Sequence, residues 1–339
     1  MVQLDTGLAV ARLADVPAAA REVEELGFSG LWTAETSHDP YLPVALAAEH
    51  TSRIDLGTSI AVAFPRSPMV HAMTAWDLAQ QSEGRFILGL GTQVRGHNKR
   101  RFGVNWQKPG PQLREMIEMI RAAWDCFQNG TVPSFKGEYY EFTLMSPFFN
   151  PGPIQYPEIP IYIAGVNPYI CRLAGEMCDG FHVHPLHSVE YVENYVRPWI
   201  AEGAAKAGRD PSSVQLASTC FTIVGDTEEE MDAMRQMVRS QISFYASTPA
   251  YKPVLAAHGW EDVAPHLTTR SRAGDWAGMA DLITDEMLDV FTVTGTWSDI
   301  AGKMKARYEG VLDRIGFYVP FNPGRDTDRW KSLVASFRE

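Results

Sequence analysis

Glu35, His38 and Asp39 fall within five positions of the stretch WTAETSHDPYLP. That spacing sets two carboxylates and an imidazole on one short loop. An imidazole changes charge near neutral pH, so His38 could pass a proton while Glu35 orients it or accepts a hydrogen bond from a ligand. Asp39 is equally explained as an Asx cap for the next helix. A second group, FHVHPLH, supplies His182, His184 and His187. An H-x-H pair can hold a metal, but the barrel hydrolase pattern wants it on the first strand, where this chain reads LDTGLA. A metal-dependent barrel hydrolase therefore stands third among the readings, and no metal site is expected.

Two further stretches end apolar runs on glycine. In GLGTQVRGHNKRRFG, Gly89, Gly91 and Thr92 permit close backbone approach, and Gln93, Arg95, His97, Asn98, Lys99, Arg100 and Arg101 follow as the densest basic cluster of the chain. Its plain alternative is a solvated helix face. The dinucleotide fingerprint is excluded, because the third glycine and the distal acid are missing. In IPIYIAGVNPYI a run ends at Gly165, Val166 and Asn167, and Pro168 suits the first position of a helix. Free amides at such a helix start bind anions without a basic side chain; an ordinary strand-to-helix turn accounts for the spacing as well.

The elements that must carry these residues alternate. Eight short apolar runs begin at Val2, Phe28, Ile54, Arg85, Ile159, Asp179, Val214 and Asp313. Amphipathic stretches lie between them. In ADVPAAAREVEELG, Val16, Ala19, Ala20, Val23 and Leu26 share one helical face, and Gly27 stands as a C-terminal stop. Alternating strands and helices imply parallel strands joined by right-handed crossovers, and eight such units close a (β/α)8 TIM barrel with its site at the C-terminal strand ends. A doubly wound open sheet is the alternative. Insertions are expected near residues 131–158, rich in proline and aromatics, and near 246–294, which reads as several short helices.

Composition sets limits on partners. The 339 residues are 45% hydrophobic, enough for one large core and a single domain over 1–339. A net charge of -11 without a basic run argues against nucleic acid. No signal-peptide pattern and no apolar run of about 18 residues is present, so a cytoplasmic protein with no membrane partner is expected. The four cysteines form no C-x-x-C pair, and Cys171 and Cys178 read as small apolar residues on a helix rather than as a disulfide.

The order GFSGLWTAE, LGTSIAVAFPRSPMVHAMTAWDLAQQSEGRFILGLGT, FKGEYYEF and PIYIAG resembles the bacterial-luciferase-like monooxygenase superfamily, and within it the deazaflavin-dependent oxidoreductases. The resemblance covers nearly the whole chain and implies a barrel with an insertion. It implies hydride transfer between coenzyme F-420, an 8-hydroxy-5-deazaflavin, and a small-molecule substrate, with a homodimer as the expected assembly. It places a bulge with a cis non-prolyl peptide at Ser59 and Ile60, a phosphate loop at Ala164, Gly165, Val166 and Asn167, and further cofactor contacts at Thr92 and Gln93. The family's acid or histidine after the second strand falls at Glu35 and His38, the candidate catalytic pair, although AETSHDP is longer than the usual spacing. Tyr251, His182 and His184 are expected on the substrate side, under a cover running from Ser247 to Trp260 that includes His258. The runner-up is a monooxygenase using flavin mononucleotide (FMN) with a reductase partner.

Overall fold

The computed structural model describes residues 2–338. Its strands of four or more residues are β1 Gln3–Gly7, β2 Gly30–Thr33, β3 Asp55–Thr58, β4 Phe86–Gly91, β5 Ile161–Gly165, β6 Gly180–Val183, β7 Gln215–Val224, β8 Thr292–Gly295 and β9 Arg314–Phe317. All but β8 lie in one closed ring of parallel pairs. It runs from β1 through β2, β3, β4, β5 and β6 to β7, then through β9 back to β1. These eight strands start within two residues of the eight apolar runs, and the chain is a (β/α)8 barrel.

Outside the ring, β8 pairs with the outer end of β7, Phe221 to Val224. The sequence does not announce this strand, because TVTG is too short to show a period of two. The rest of the 246–294 insertion is helical, with segments at Lys252–Ala256, Val263–Ala273, Trp276–Ala280 and Asp285–Phe291. The other expected insertion holds only a two-rung hairpin, Phe135–Lys136 against Glu141–Phe142.

The surrounding helices follow their apolar stripes. In α1, Val16–Leu26, the buried side is Val16, Ala19, Ala20 and Val23, and Gly27 ends the helix at φ 96°, a left-handed turn that glycine enters without a Cβ clash. The next helices are α2 Tyr41–His50, α3 Pro68–Gln81, α4 Arg95–Arg100, α5 Pro109–Asn129, α6 Pro168–Met177, α7 Arg197–Ala207 and α8 Glu228–Ala246. All four cysteines are free and buried.

Inside the barrel the lower layer is polar and paired. Arg314 reaches Asp5 at 2.8 Å and Asp55 at 2.7 Å, and the Trp32 indole donates to Asp5 at 2.8 Å. Burial pushes the Asp5 carboxyl up, and the Arg314 guanidinium opposes that shift. Glycines make room for these large groups: side chains at Gly30, Gly57 and Gly180 would run into Arg314, Trp32 and Tyr162. This plugged floor leaves chemistry only the other end of the barrel.

Candidate active site

The third strand breaks above the floor. After Thr58 the chain makes a cis peptide at Ser59–Ile60 and then rejoins β4 through Ala61 and Val62. The loop after β2 is stitched to this bulge, with the Ser59 amide donating to the Thr33 carbonyl at 2.6 Å and the Glu35 amide to the Ile60 carbonyl at 3.1 Å. The buried Glu35 carboxylate accepts from the Val62 amide at 2.7 Å and from Arg66 at 2.8 Å. Arg66 also reaches Asp39 at 2.6 Å, and Asp39 accepts from the Tyr41 and Leu42 amides as the cap of α2.

A second brace comes from α3. His71 Nε2 lies 2.8 Å from the Ala63 carbonyl and so must donate, which leaves Nδ1 to accept from the Tyr41 hydroxyl at 2.7 Å. Burial pushes this imidazole down to about 4, so the ring is neutral. Glu35, through Ile60 and Val62, and His71, through Ala63, thus both hold residues 60–63. His38 projects from the exposed part of the loop, and none of these hydrogen bonds involves it.

The ends of β4 and β5 complete the rim. Gly91 lies beneath Ile60, and a Cβ there would sit 2.7 Å from Ile60 Cγ1. Thr92 and Gln93 are half-buried, and Gln93 takes φ 55° with its side chain accepting from the Val94 amide at 2.9 Å. Asn98 donates to the Thr92 carbonyl, and Arg101 donates to the Thr36 carbonyl across the mouth. Ala164, Gly165 and Val166 are half-buried, and Asn167 caps α6 by accepting from the Ile170 amide at 3.0 Å. A Cβ at Gly165 would sit 2.6 Å from Ile170, so helix packing alone already requires glycine there.

On β6 the histidines divide by depth. His182 packs edge-on against Trp32 in the interior; its Nδ1 is 3.5 Å from Ser59 Oγ, and its buried Nε2 lacks a protein partner among the described residues. His184 stands one pleat higher, between Tyr245 at 4.5 Å and Tyr251 at 4.4 Å. Burial pushes both rings down to about 3. His187 turns away and donates to the His184 carbonyl at 2.9 Å. Among the described residues no group of three His, Cys, Asp or Glu is placed to hold a metal. His258 stacks on Trp260 at 5.0 Å and meets Ser188 Oγ at 2.8 Å.

A cleft of about 590 Å³ lined by Arg121, Asp125, Gln128, Pro160 and Asp179 lies at the opposite end, where β5 and β6 begin, and contains none of these residues.

Residues 2–314 match the family model for luciferase-like monooxygenases. The chain belongs to the luciferase-like monooxygenase family. A Mycobacterium tuberculosis protein of uncharacterised function is 45% identical over 306 residues, covering 90% of this chain and 89% of its own. The 5,10-methylenetetrahydromethanopterin reductase of Methanolobus tindarius is 30% identical, covering 91% and 90%. Among solved structures, the coenzyme F-420-dependent tetrahydromethanopterin reductase of Methanopyrus kandleri superposes with a TM-score of 0.78 at 21% identity, covering 98% and 97%.

In this luciferase-like barrel the sequence brings Glu35, Ser59, Ile60, Thr92, Gln93 and the 164–167 loop to one end. It also hides several residues of that end. Arg66 and His71 lie on the connection from β3 and in α3, where nothing in their spacing points back to Glu35. Tyr245 and Tyr318 are separated by 73 residues yet share a hydrogen bond. An aromatic residue directly after an apolar run, as Tyr318 stands after IGF, was the signal available for one of the two.

Proposed function

We propose that this chain is a deazaflavin-dependent oxidoreductase that transfers a hydride between coenzyme F-420 and a small organic substrate. The observation that carries the reading is the neutral, half-buried platform of Ser59, Ile60, Thr92, Gln93, Ala164, Gly165 and Val166 beside the start of α6. It fits a planar aromatic ring. The start of α6 suits an anionic arm: Pro168 has no N–H, Asn167 occupies the Ile170 amide, and the Tyr169 amide has no partner one turn back. The exposed cations Arg95, Lys99 and Arg100 on the same rim add favourable charge. The reductases related to this chain support the deazaflavin over flavin mononucleotide.

When bound, the deazaflavin supplies a hydride at its central-ring carbon. The protein's part is positional. Glu35 with Arg66, and His71 with Tyr41, fix the height of the bulge on which the ring would rest, and a platform held within a fraction of an ångström sets donor-to-acceptor distance. His38 stands exposed and unbraced on the same loop.

Fluorescence titration of the protein with coenzyme F-420 and with flavin mononucleotide tests the proposal. Deazaflavin is expected to bind at least about tenfold more tightly, a difference of about 1.4 kcal/mol. Preferential flavin binding would instead place the chain with the monooxygenases that give the family its name.

A further inference from the structure

The upper part of the mouth has its own chemistry. Ala217 pairs with both His182 and Arg314, and Thr219 pairs with Gly316, so Phe221 and Tyr318 stand at the same level two pleats above the floor. Their rings lie 4.5 Å apart. Tyr245, near the end of α8, closes over them, and its hydroxyl meets that of Tyr318 at 2.8 Å. His184 and Tyr251 supply the adjoining wall. His184 Nδ1 accepts from the Leu186 amide at 3.1 Å, so the neutral ring carries its proton on Nε2. The cage therefore has aromatic walls and only neutral polar groups, among them a hydrogen-bonded pair of hydroxyls.

A hydroxyl pair has two protons and uses one internally. The other is left for a third group, and accepting the first bond strengthens it as a donor. The same pair keeps lone pairs free, so it can accept from an alcohol as readily as it donates to a carbonyl. Burial pushes the Tyr318 and Tyr251 hydroxyls up and the His184 imidazole down, so these three groups stay neutral around pH 7. A charged substrate entering such walls would lose its hydration without gaining a counter-charge.

We infer that the cage of His184, Phe221, Tyr245, Tyr251 and Tyr318 holds the organic substrate of the hydride transfer proposed above, and that it selects a flat, uncharged carbonyl compound, or the matching alcohol, whose oxygen is bound by the Tyr245–Tyr318 hydroxyl pair. This rests on the oxidoreductase reading. In the reducing direction, a hydride from the reduced deazaflavin forms a bond to the carbonyl carbon while the carbon–oxygen π bond breaks. The oxygen takes the free proton of the hydroxyl pair, giving the alcohol and a deazaflavin oxidised by two electrons. The one proton left on the pair is shared between the two oxygens until solvent returns the other through half-exposed Tyr245. Oxidation of the alcohol runs the same steps backward.

The test is binding, measured by saturation-transfer NMR with acetophenone as the neutral probe and benzoate as its anionic match in size. Acetophenone should bind the wild-type protein at least about tenfold more tightly than benzoate. Tyr318→Phe and Tyr245→Phe each keep the ring and remove one hydroxyl, and the variant that lacks the hydroxyl donating to the substrate should weaken acetophenone at least about fivefold, the share of a single hydrogen bond. Deazaflavin affinity of both variants should stay within about twofold, since neither hydroxyl belongs to the platform. Equal binding of benzoate, or unchanged acetophenone affinity in both variants, would overturn the inference. Failure of the wild-type protein to bind deazaflavin would instead overturn the proposed function. If one variant does not fold, the preference of the wild-type protein for acetophenone over benzoate carries the test.

Discussion

Ile60 occupies the space that a side chain at Gly91 would need, with Cγ1 2.7 Å from the position of the missing Cβ. The glycine that ends β4 is thus the seat for the first residue after the Ser59–Ile60 peptide, and two distant motifs, GTSI and GLGT, meet in one packing contact. Gly91→Ala should push Ile60 up into the platform. Overpacking of this kind costs about 1–3 kcal/mol, so the denaturant midpoint should fall and deazaflavin affinity should fall with it. An alanine variant of wild-type affinity would show that Ile60 can move aside and does not define the platform.

Glu35 is placed by the sequence as half of a catalytic pair; the structure surrounds it with the Val62 amide and Arg66. Its proposed role is accordingly positional. Glu35→Gln keeps an acceptor for Val62 but leaves Arg66 with Asp39 alone, and should destabilise by about 1–3 kcal/mol. Exposed His38→Ala should change stability by less than about 0.5 kcal/mol. Urea unfolding of the two variants makes the comparison directly; equal midpoints would mean that the Glu35 brace contributes nothing.

The start of α6 can be tested without disturbing the packing of Gly165. Aspartate caps a helix about as well as asparagine and favours the helix dipole. Asn167→Asp should therefore leave the melting temperature unchanged or slightly raised. If an anionic arm of the cofactor lies there, the new charge should weaken deazaflavin binding at least about tenfold. The two readouts move apart only under the anion-site reading, whereas an ordinary turn predicts no change in affinity.

The barrel was legible because each ring strand is a short apolar run bounded by turn residues, and its partner strands are next in order. Thr292–Gly295 was not legible, since four residues beside a helix end show no period. The platform followed from the rule that barrel sites collect at strand ends, together with the family resemblance. The brace behind it did not. Arg66 and His71 meet the bulge only through the fold, and side-chain partners far apart in sequence leave no local pattern. Tyr251 was singled out as part of a cover, yet its neighbours Tyr245 and Tyr318 come from α8 and the end of β9, which a linear reading treats separately. Gly165 has a packing partner that a linear reading does not show either: Ile170, on the next helix, fills the space a side chain there would need.

The buried imidazoles make a prediction about acid stability whose sign is fixed by their direction. His182 and His184 are pushed down to about 3, and His71 and His187 to about 4, in each case chiefly by burial. In the unfolded chain an imidazole titrates near 6.5. Between those values the unfolded state binds more protons than the folded one, so the stability these rings contribute is complete above about pH 6.5 and declines as pH falls toward 4. Each ring can add a slope of up to about 1.4 kcal/mol per pH unit. Unfolded carboxylates titrate near 4 and contribute little above about pH 5.5, while the raised Asp5 carboxyl acts in the opposite sense, so the difference between a histidine variant and wild type in the interval from there to 6.5 isolates the imidazole. The melting temperature should accordingly begin to fall below pH 6.5. His182→Gln should be less stable than wild type at pH 8, because it disturbs packing against Trp32, yet should show a shallower decline, so that the two curves converge on acidification. Parallel curves from pH 8 to 5 would show that His182 is not among the groups whose protonation opens the barrel.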